Sequence, residues 1–328
     1  MKQFAIIAPA GLAEASKLLA HRGNLALAGG VDVLDLLKQE IIEPQRLINL
    51  KTLTGLDRID SDESGMRIGA LVKLKQLTTE RVILTNYSAL ADAAREAATP
   101  QIRNLATVGG NLLQRPRCWY FRNPGVDCLK KGGLRCYAKD GLHRYHSIIG
   151  GGPSYIVHPS NLAVALVALS ASAKLVGASG ERTVELEQFF VLPNKDPLRE
   201  NVLEPGEVMT EIRLPAPERA TRSVYIEARE KQSFDWPLVS VAAVIATENG
   251  IVRDARIVMG AVAPIPWRSK EGERALVGMH LDEETAAGAA EAALRQATPL
   301  PQNRYKVPIA KALVRRAVLR AGNVEDAA

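Results

Sequence analysis

The chain has 328 residues and three cysteines, and all three lie in one stretch, CWYFRNPGVDCLKKGGLRC, from Cys118 to Cys136. The stretch has no helical or strand periodicity and is rich in Gly, Arg and Lys, so it reads as a long ordered loop. A loop of this length inside a compact domain needs a functional reason or a local staple. The N-terminal apolar run is short and is followed by a helix-like pattern carrying Glu14 and Lys17, unlike a secretory signal. No apolar run is long enough to span a membrane. The expected compartment is the reducing cytoplasm, or the periplasm if the chain is exported within a folded complex. In a reducing compartment, clustered thiols favour metal binding or redox chemistry over structural disulfides.

Nine and seven residues separate the cysteines, so no C-x-x-C zinc knuckle is present. His143, His146 and His158 follow closely, which leaves a Cys3His zinc site open. Iron–sulfur clusters also accept widely spaced cysteines, normally four. Three unrelated buried thiols are the remaining reading, and confinement to one loop argues against it. The formal net charge is +6, and Arg103, Arg115, Arg117, Arg122, Lys130, Lys131 and Arg135 all fall in or just before the loop. That charge would suit an acidic partner or nucleic acid, and a solvated basic loop explains it equally well. With 47% hydrophobic and 24% charged residues the composition is that of an ordinary globular enzyme, long enough for two or three domains.

Around the loop the chain alternates between helix and strand patterns. LAEASKLLAHRG reads as a helix stopped at Gly23, NLALAGG as a short strand ending in two glycines, VDVLDLLKQE as a helix and RLINL as another strand. LDRIDSDESGMRIGA reads as a hairpin, YSALADAAREAAT as a helix, and NLAVALVALSASAKLVG as a buried helix leading into a strand. LPAPERA, from Leu214 to Ala220, is the best linker. Beyond it lie three strand-like runs, two of them joined at Asn249-Gly250, a strong hairpin signal, and two closing helices. The C-terminal third therefore reads as a three-stranded antiparallel sheet with helices on one side.

Two glycine pairs stand out. In LALAGGVDVLDLL a strand, two glycines and a helix start follow one another, and such a junction lets backbone N–H groups converge on an anion. It is neither the G-x-G-x-x-G fingerprint nor a P-loop, and a plain tight turn is the bland alternative. In ATVGGNLLQ, Thr107 and Asn111 bracket Gly109-Gly110, and a plain turn explains that pair too. Together the two could hold a diphosphate from opposite sides. No G-x-S-x-G, H-E-x-x-H or patterned carboxylate pair is present, which suits a protein whose chemistry belongs to a bound cofactor.

AGGVDVLDLLK, TPQIRNLATVGGNLLQRPRC and HPSNLAVALVAL, in this order and at these separations, resemble the FAD-binding subunit of the molybdenum hydroxylases: the xanthine dehydrogenase, aldehyde oxidoreductase and carbon monoxide dehydrogenase family. The resemblance runs over essentially the whole chain. The branch most similar is the bacterial aldehyde oxidoreductase type, whose flavin subunit carries an extra loop for a [4Fe–4S] cluster.

The resemblance implies an α+β architecture: the two-subdomain FAD-binding fold of the vanillyl-alcohol oxidase type over residues 1–215, followed by a C-terminal α+β domain over 221–328. The subdomains would run over about 1–55 and 56–215, with a cluster-binding insertion over about 115–155. It implies that Ala28, Gly29, Gly30, Val31, Asp32, Val33 and Leu34 wrap the FAD diphosphate through backbone N–H groups. Thr107, Gly109, Gly110 and Asn111 would form the opposite wall. Asn161 stands where the family has Asp beside the flavin, and Lys231 begins a segment near the isoalloxazine ring. Cys118, Cys128 and Cys136 would bind the cluster, with Ser154 where the branch has its fourth cysteine. No residue of this chain need act as a catalytic acid or base. The partners implied are a molybdopterin-binding large subunit, a small subunit with [2Fe–2S] clusters and an external electron acceptor, with no nucleic acid and no membrane span. A stand-alone FAD oxidoreductase of the same fold, and more remotely a zinc-stapled nucleic-acid-binding protein, are the alternatives.

Overall fold

The computed structural model describes residues 1–218, 220–232 and 234–324. Three sheets organise it. The first is parallel, with β1 (Ala5–Ile7) and β2 (Asn24–Leu27) flanking β3 (Arg46–Asn49). The helix Leu12–Leu19 connects β1 to β2, and the helix Val31–Lys38 connects β2 to β3. The strand–glycine–helix–strand pattern forms as read; β1 is an addition that its three-residue length kept below notice.

The second sheet has five antiparallel strands in the order β4-β5-β8-β6-β7: β4 (Ile59–Asp62), β5 (Gly65–Gly69), β6 (Ser172–Gly177), β7 (Gly180–Glu185) and β8 (Val208–Pro215). The expected hairpin is β4–β5. Two helices cover this sheet, Ser88–Glu96 and Asn161–Ala168, and every residue of the second is buried. That burial explains why the sequence there is apolar on all sides, as expected of a core helix. Between them, Val108–Leu112 is a short helix rather than the open glycine turn read from the sequence, because Thr107 caps it by accepting from the Gly110 amide at 3.1 Å.

The third sheet runs β9 (Thr221–Ala228), β10 (Val239–Glu248), β11 (Ile251–Gly260) and β12 (Trp267–Arg268), in the order β12-β11-β10-β9. It has four strands, not the three expected; β12 has two residues and pairs with Val258 and Met259. Asn249 and Gly250 both take positive φ, 51° and 79°, as a tight hairpin turn on right-twisted strands requires. The helices Lys270–Leu276, Glu283–Ala293 and Lys306–Ala321 pack on one face, and the first of these was not anticipated. The expected linker shortens, since Leu214 and Pro215 end β8. Residue 219 of that linker, and 325–328 of the expected C-terminal domain, lie outside the described residues.

The long strand β10 is buried on both faces. Val239, Val241, Ala243 and Ile245 face the C-terminal helices, while Ala242 and Val244 join the core of the helices Ser88–Glu96 and Asn161–Ala168. Period-two alternation thus divides one strand between two cores. Ile257 of β11 is fully buried against the C-terminal helices. Replacing it with Ala should lower the unfolding free energy by about 2–5 kcal/mol, read from urea denaturation; a loss well under 1 kcal/mol would mean this layer is not tightly packed.

Candidate functional site

The first glycine junction has the expected form. Gly30 is the N-cap of the helix Val31–Lys38 with φ +77°, a conformation that favours glycine, and it offers no side chain to cap the first turn. Gly29 is needed for a different reason: a Cβ there would lie 2.2 Å from the carbonyl oxygen of Leu105. The second glycine segment therefore packs directly on the first. Val31, Leu34, Ile102 and Leu105 remain exposed around the junction.

The amides of the second segment are already engaged. Gly109 N–H donates to Ala70 O at 2.9 Å, Gly110 N–H to Thr107 Oγ1, and Asn111 N–H to Thr107 O at 2.8 Å. Free helix-start donors belong to the first junction; the second gives close backbone approach. Asn111 instead accepts a 2.5 Å hydrogen bond through Oδ1 from Ser160, the residue that caps the helix Asn161–Ala168.

Asp32 sits in the first turn of its helix, and its carboxylate faces the cysteine loop. It accepts from the Arg115 amide at 2.8 Å, from Arg117 Nη1 at 2.5 Å and from Arg122 Nη2 at 2.8 Å. Burial would raise this carboxyl, but Arg117, the Arg115 amide and Arg122 outweigh it and hold the group below its ordinary value of 3.8. The Arg115 and Arg122 guanidinium groups also stack on fully buried Phe121, which packs with Leu36 and Cys128. The basic residues that looked like a solvated or nucleic-acid-binding face are thus partly internal. Lys130 is likewise buried, paired with Glu200 at 2.8 Å.

The cysteines are free thiols, with Cys128 buried and Cys118 and Cys136 partly so. Burial pushes Cys118 up to about 12; the backbone amides of Phe121 and Tyr120 hydrogen-bond its sulfur and oppose that rise, while nearby Cys136 and Cys128 add to it. His146 Nε2 lies 3.1 Å from Cys118 Sγ. Burial lowers His146 to about 4, with Lys306 and His143 contributing. Lys306 is itself buried and donates to the carbonyls of Tyr145 and Ala261 at 2.9 and 2.7 Å. Ser154 is buried at 1% exposure, and its carbonyl oxygen accepts from Gly152 N–H at 3.3 Å. Among the described residues no group of three or more His, Cys, Asp or Glu converges on a single ion.

A cavity of about 280 Å³ opens between the cysteine loop, the HPSN segment and the loop after β9. Arg117, Cys118, Trp119, His146, Asn161 and Trp236 are among its walls. Buried His146 Nδ1, His158 Nε2 and Arg117 Nε have no hydrogen-bond partner. The expected Lys231 is exposed at the head of the post-β9 loop, and its neighbours Glu230, Asp235 and Trp236 are the ones lining the cavity. Residue 233 of that segment lies outside the described residues. Glu230 ties the loop down, pairing with Arg144 and accepting from Tyr145 Oη at 2.8 Å. The aromatic residue between Asp235 and Pro237, in the segment that Lys231 begins, was the available signal for Trp236, whose ring faces Arg117 at 5.1 Å.

Asn161 is buried and donates through Nδ2 to Glu227 Oε2 at 2.8 Å. Glu227, which sequence reasoning missed, also accepts from Tyr225 Oη at 2.8 Å and pairs with Arg229. A carboxylate therefore stands one hydrogen bond behind Asn161.

Residues 2–217 match a family described as the FAD binding domain in molybdopterin dehydrogenase, and 223–321 match the CO dehydrogenase flavoprotein C-terminal domain. The chain is 36% identical over 293 residues, covering 88% of each sequence, to the aldehyde oxidoreductase FAD-binding subunit PaoB of Escherichia coli K12. It is 29% identical over 322 residues, covering 96% of each, to the carbon monoxide dehydrogenase medium chain of Hydrogenophaga pseudoflava. A solved structure of carbon monoxide dehydrogenase from that organism superposes with a TM-score of 0.77 at 27% identity, covering 98% of this chain and 97% of the other.

Two outcomes test these contacts. Asp32→Asn removes the charge that the Arg115 amide and the Arg117 and Arg122 guanidinium groups face, and should cost about 3 kcal/mol of stability in thermal or urea unfolding, because it leaves those two partly buried cations with only the half-exposed Asp35 as an acidic partner. Burial outweighs the Tyr225 hydroxyl and Arg229 at Glu227 and raises its carboxyl from 4.5 to about 7. A folded value above the unfolded one means the folded state binds the extra proton, so stability falls as pH rises from 4.5 to about 7. Glu227→Gln should remove that slope in stability measured across this range; an unchanged slope would place its origin elsewhere.

Proposed function

The chain belongs to the family of FAD-binding domains of molybdopterin dehydrogenases, and on that basis we propose that it is the flavin subunit of a molybdenum hydroxylase complex. Its large partner would carry molybdopterin and a small partner [2Fe–2S] clusters, with substrate oxidised in the partner and electrons leaving to an external acceptor. The observation that carries the reading is the uncapped helix start at Gly30, packed against the second glycine segment and leading through Asn111 and Ser160 to the cavity. Donors at one end suit a diphosphate, and a polar-edged aromatic cavity at the other suits a planar ring system. The unpartnered buried nitrogens of His158 and Arg117 fit a ring with hydrogen-bonding edges.

In this reading the amides from Ala28 to Leu34 receive the diphosphate, while Thr107, Gly109, Gly110 and Asn111 close the opposite side. Asn161, fixed by Glu227, stands beside the ring, and the loop from Lys231 covers it. When bound, the flavin supplies a carrier that exchanges electrons singly and in pairs; the chain's residues bind it, orient it and limit water around it. Cys118, Cys128 and Cys136 hold an iron–sulfur cluster in the same reading, with Ser154 at the fourth position. The donors already aimed at Cys118 sulfur fit a thiolate, which accepts hydrogen bonds without giving one.

Acid extraction of the purified chain should release FAD, and its visible spectrum should combine flavin bands with a broad absorption that bleaches on reduction. Gly30→Val forces a β-branched residue into positive φ, a strain of roughly 1–3 kcal/mol, and should lower FAD content about tenfold while the chain stays folded by circular dichroism. A colourless wild-type protein that takes up no FAD would overturn the reading.

A further inference from the structure

Three histidines follow the cysteine loop, and the structure separates their roles. His143 is committed to the backbone through both ring nitrogens: Nδ1 lies 3.0 Å from Ala138 O, and Nε2 accepts from the Gln302 amide at 3.0 Å. His158 accepts from the Ser160 amide through Nδ1 at 3.3 Å and packs edge-on to Phe190. Of the three, His146 is the one that lies against a cysteine, with Nε2 3.1 Å from Cys118 Sγ.

His146 is also firmly placed. Its amide donates to His143 O at 3.1 Å, and its carbonyl accepts from fully buried Asn303 through Nδ2 at 3.1 Å. The Trp119 ring meets it edge-on, centroids 5.1 Å apart. Its Nδ1 is buried and without a partner.

We propose that His146 is a positioning residue of the iron–sulfur site, donating Nε2–H to the Cys118 sulfur and thereby raising the reduction potential of the cluster. The inference rests on the iron–sulfur reading above. Iron-bound sulfur has no proton to give, so the proton of this contact must sit on Nε2. That assignment leaves Nδ1 as a bare lone pair, and an unpartnered acceptor is easier to tolerate in a protein interior than an unpartnered N–H. Backbone amides of Tyr120 and Phe121 face the same sulfur, so His146 completes a three-donor shell. Donors to a cluster thiolate withdraw charge from it and favour the reduced state. Cys118 and His146 also both line the cavity proposed for the flavin ring, so the tuned corner is the one that faces it. At 3.1 Å the nitrogen and the sulfur stand at hydrogen-bond distance.

The test is a redox titration of the full chain followed by electron paramagnetic resonance, with iron and sulfide analysis, on wild type, His146→Leu and His146→Gln. Leu keeps the bulk and removes the donor; Gln restores an N–H. The expected result is equal iron and sulfide in all three, a more negative midpoint in the Leu variant, and a return toward wild type in the Gln variant. Nuclear coupling in wild type labelled with 15N-histidine needs no variant, and should show the weak coupling of a hydrogen-bonded nitrogen. An unchanged midpoint in a fully loaded Leu variant overturns the proposal. So does a coupling of ligand strength, which would put His146 on iron. Wild type without iron and sulfide overturns the iron–sulfur reading itself, and is told apart from the other outcomes because no variant is needed to see it.

Discussion

The carboxylate of Asp32 joins the two halves of the site. It projects from the first turn of a helix whose start, at Gly30, is left uncapped, and it is held by the Arg115 amide and the guanidinium groups of Arg117 and Arg122. A negative charge in a first helical turn is favourable by itself. Here the same charge fixes the beginning of the cysteine loop, and Phe121 then packs beneath the arginines against Leu36 of that helix. The loop has hardly any regular structure of its own beyond the short 3-10 turn Leu129–Lys131. Its order comes from this junction, from Lys130 on Glu200 and from the aromatic contacts of Trp119.

The parts of the molecule legible in sequence were those where one local rule decides. The strand–glycine–helix junction, the β4–β5 hairpin and the turn at Asn249-Gly250 each depend on a few adjacent residues, and each formed as read. The glycines at 109 and 110 misled because two causes give the same letters: an open turn and a short capped helix against Ala70 both demand small residues. Strands of two or three residues, β1 and β12, are fixed by their neighbours in the sheet and carry no pattern of their own.

The site was legible in part for the same reason. Glycines and cysteines announce themselves, and so the first junction and the thiol loop were found. Glu227, Glu230 and Trp236 come together with Asn161, Tyr145 and Arg117 across 66 or more residues of chain, and no single stretch reveals such meetings. The arginines illustrate the limit most clearly. As a string they resemble a solvated basic patch; in the fold Arg115, Arg117 and Arg122 divide between Asp32, Glu200 and the ring of Phe121.

The strand β10 lies in two cores at once. Its odd-numbered residues complete the layer under the C-terminal helices, and its even-numbered residues complete the one built by the helices Ser88–Glu96 and Asn161–Ala168. The C-terminal sheet is therefore no appendage hung from a linker. A chain cut near residue 220 would leave Leu162, Val164 and their neighbours facing water, and the cavity would lose the wall supplied by Trp236 and Leu238. One hydrophobic core runs from Leu162 and Val164 on one side of residue 220 to Tyr225, Ala242 and Val258 on the other.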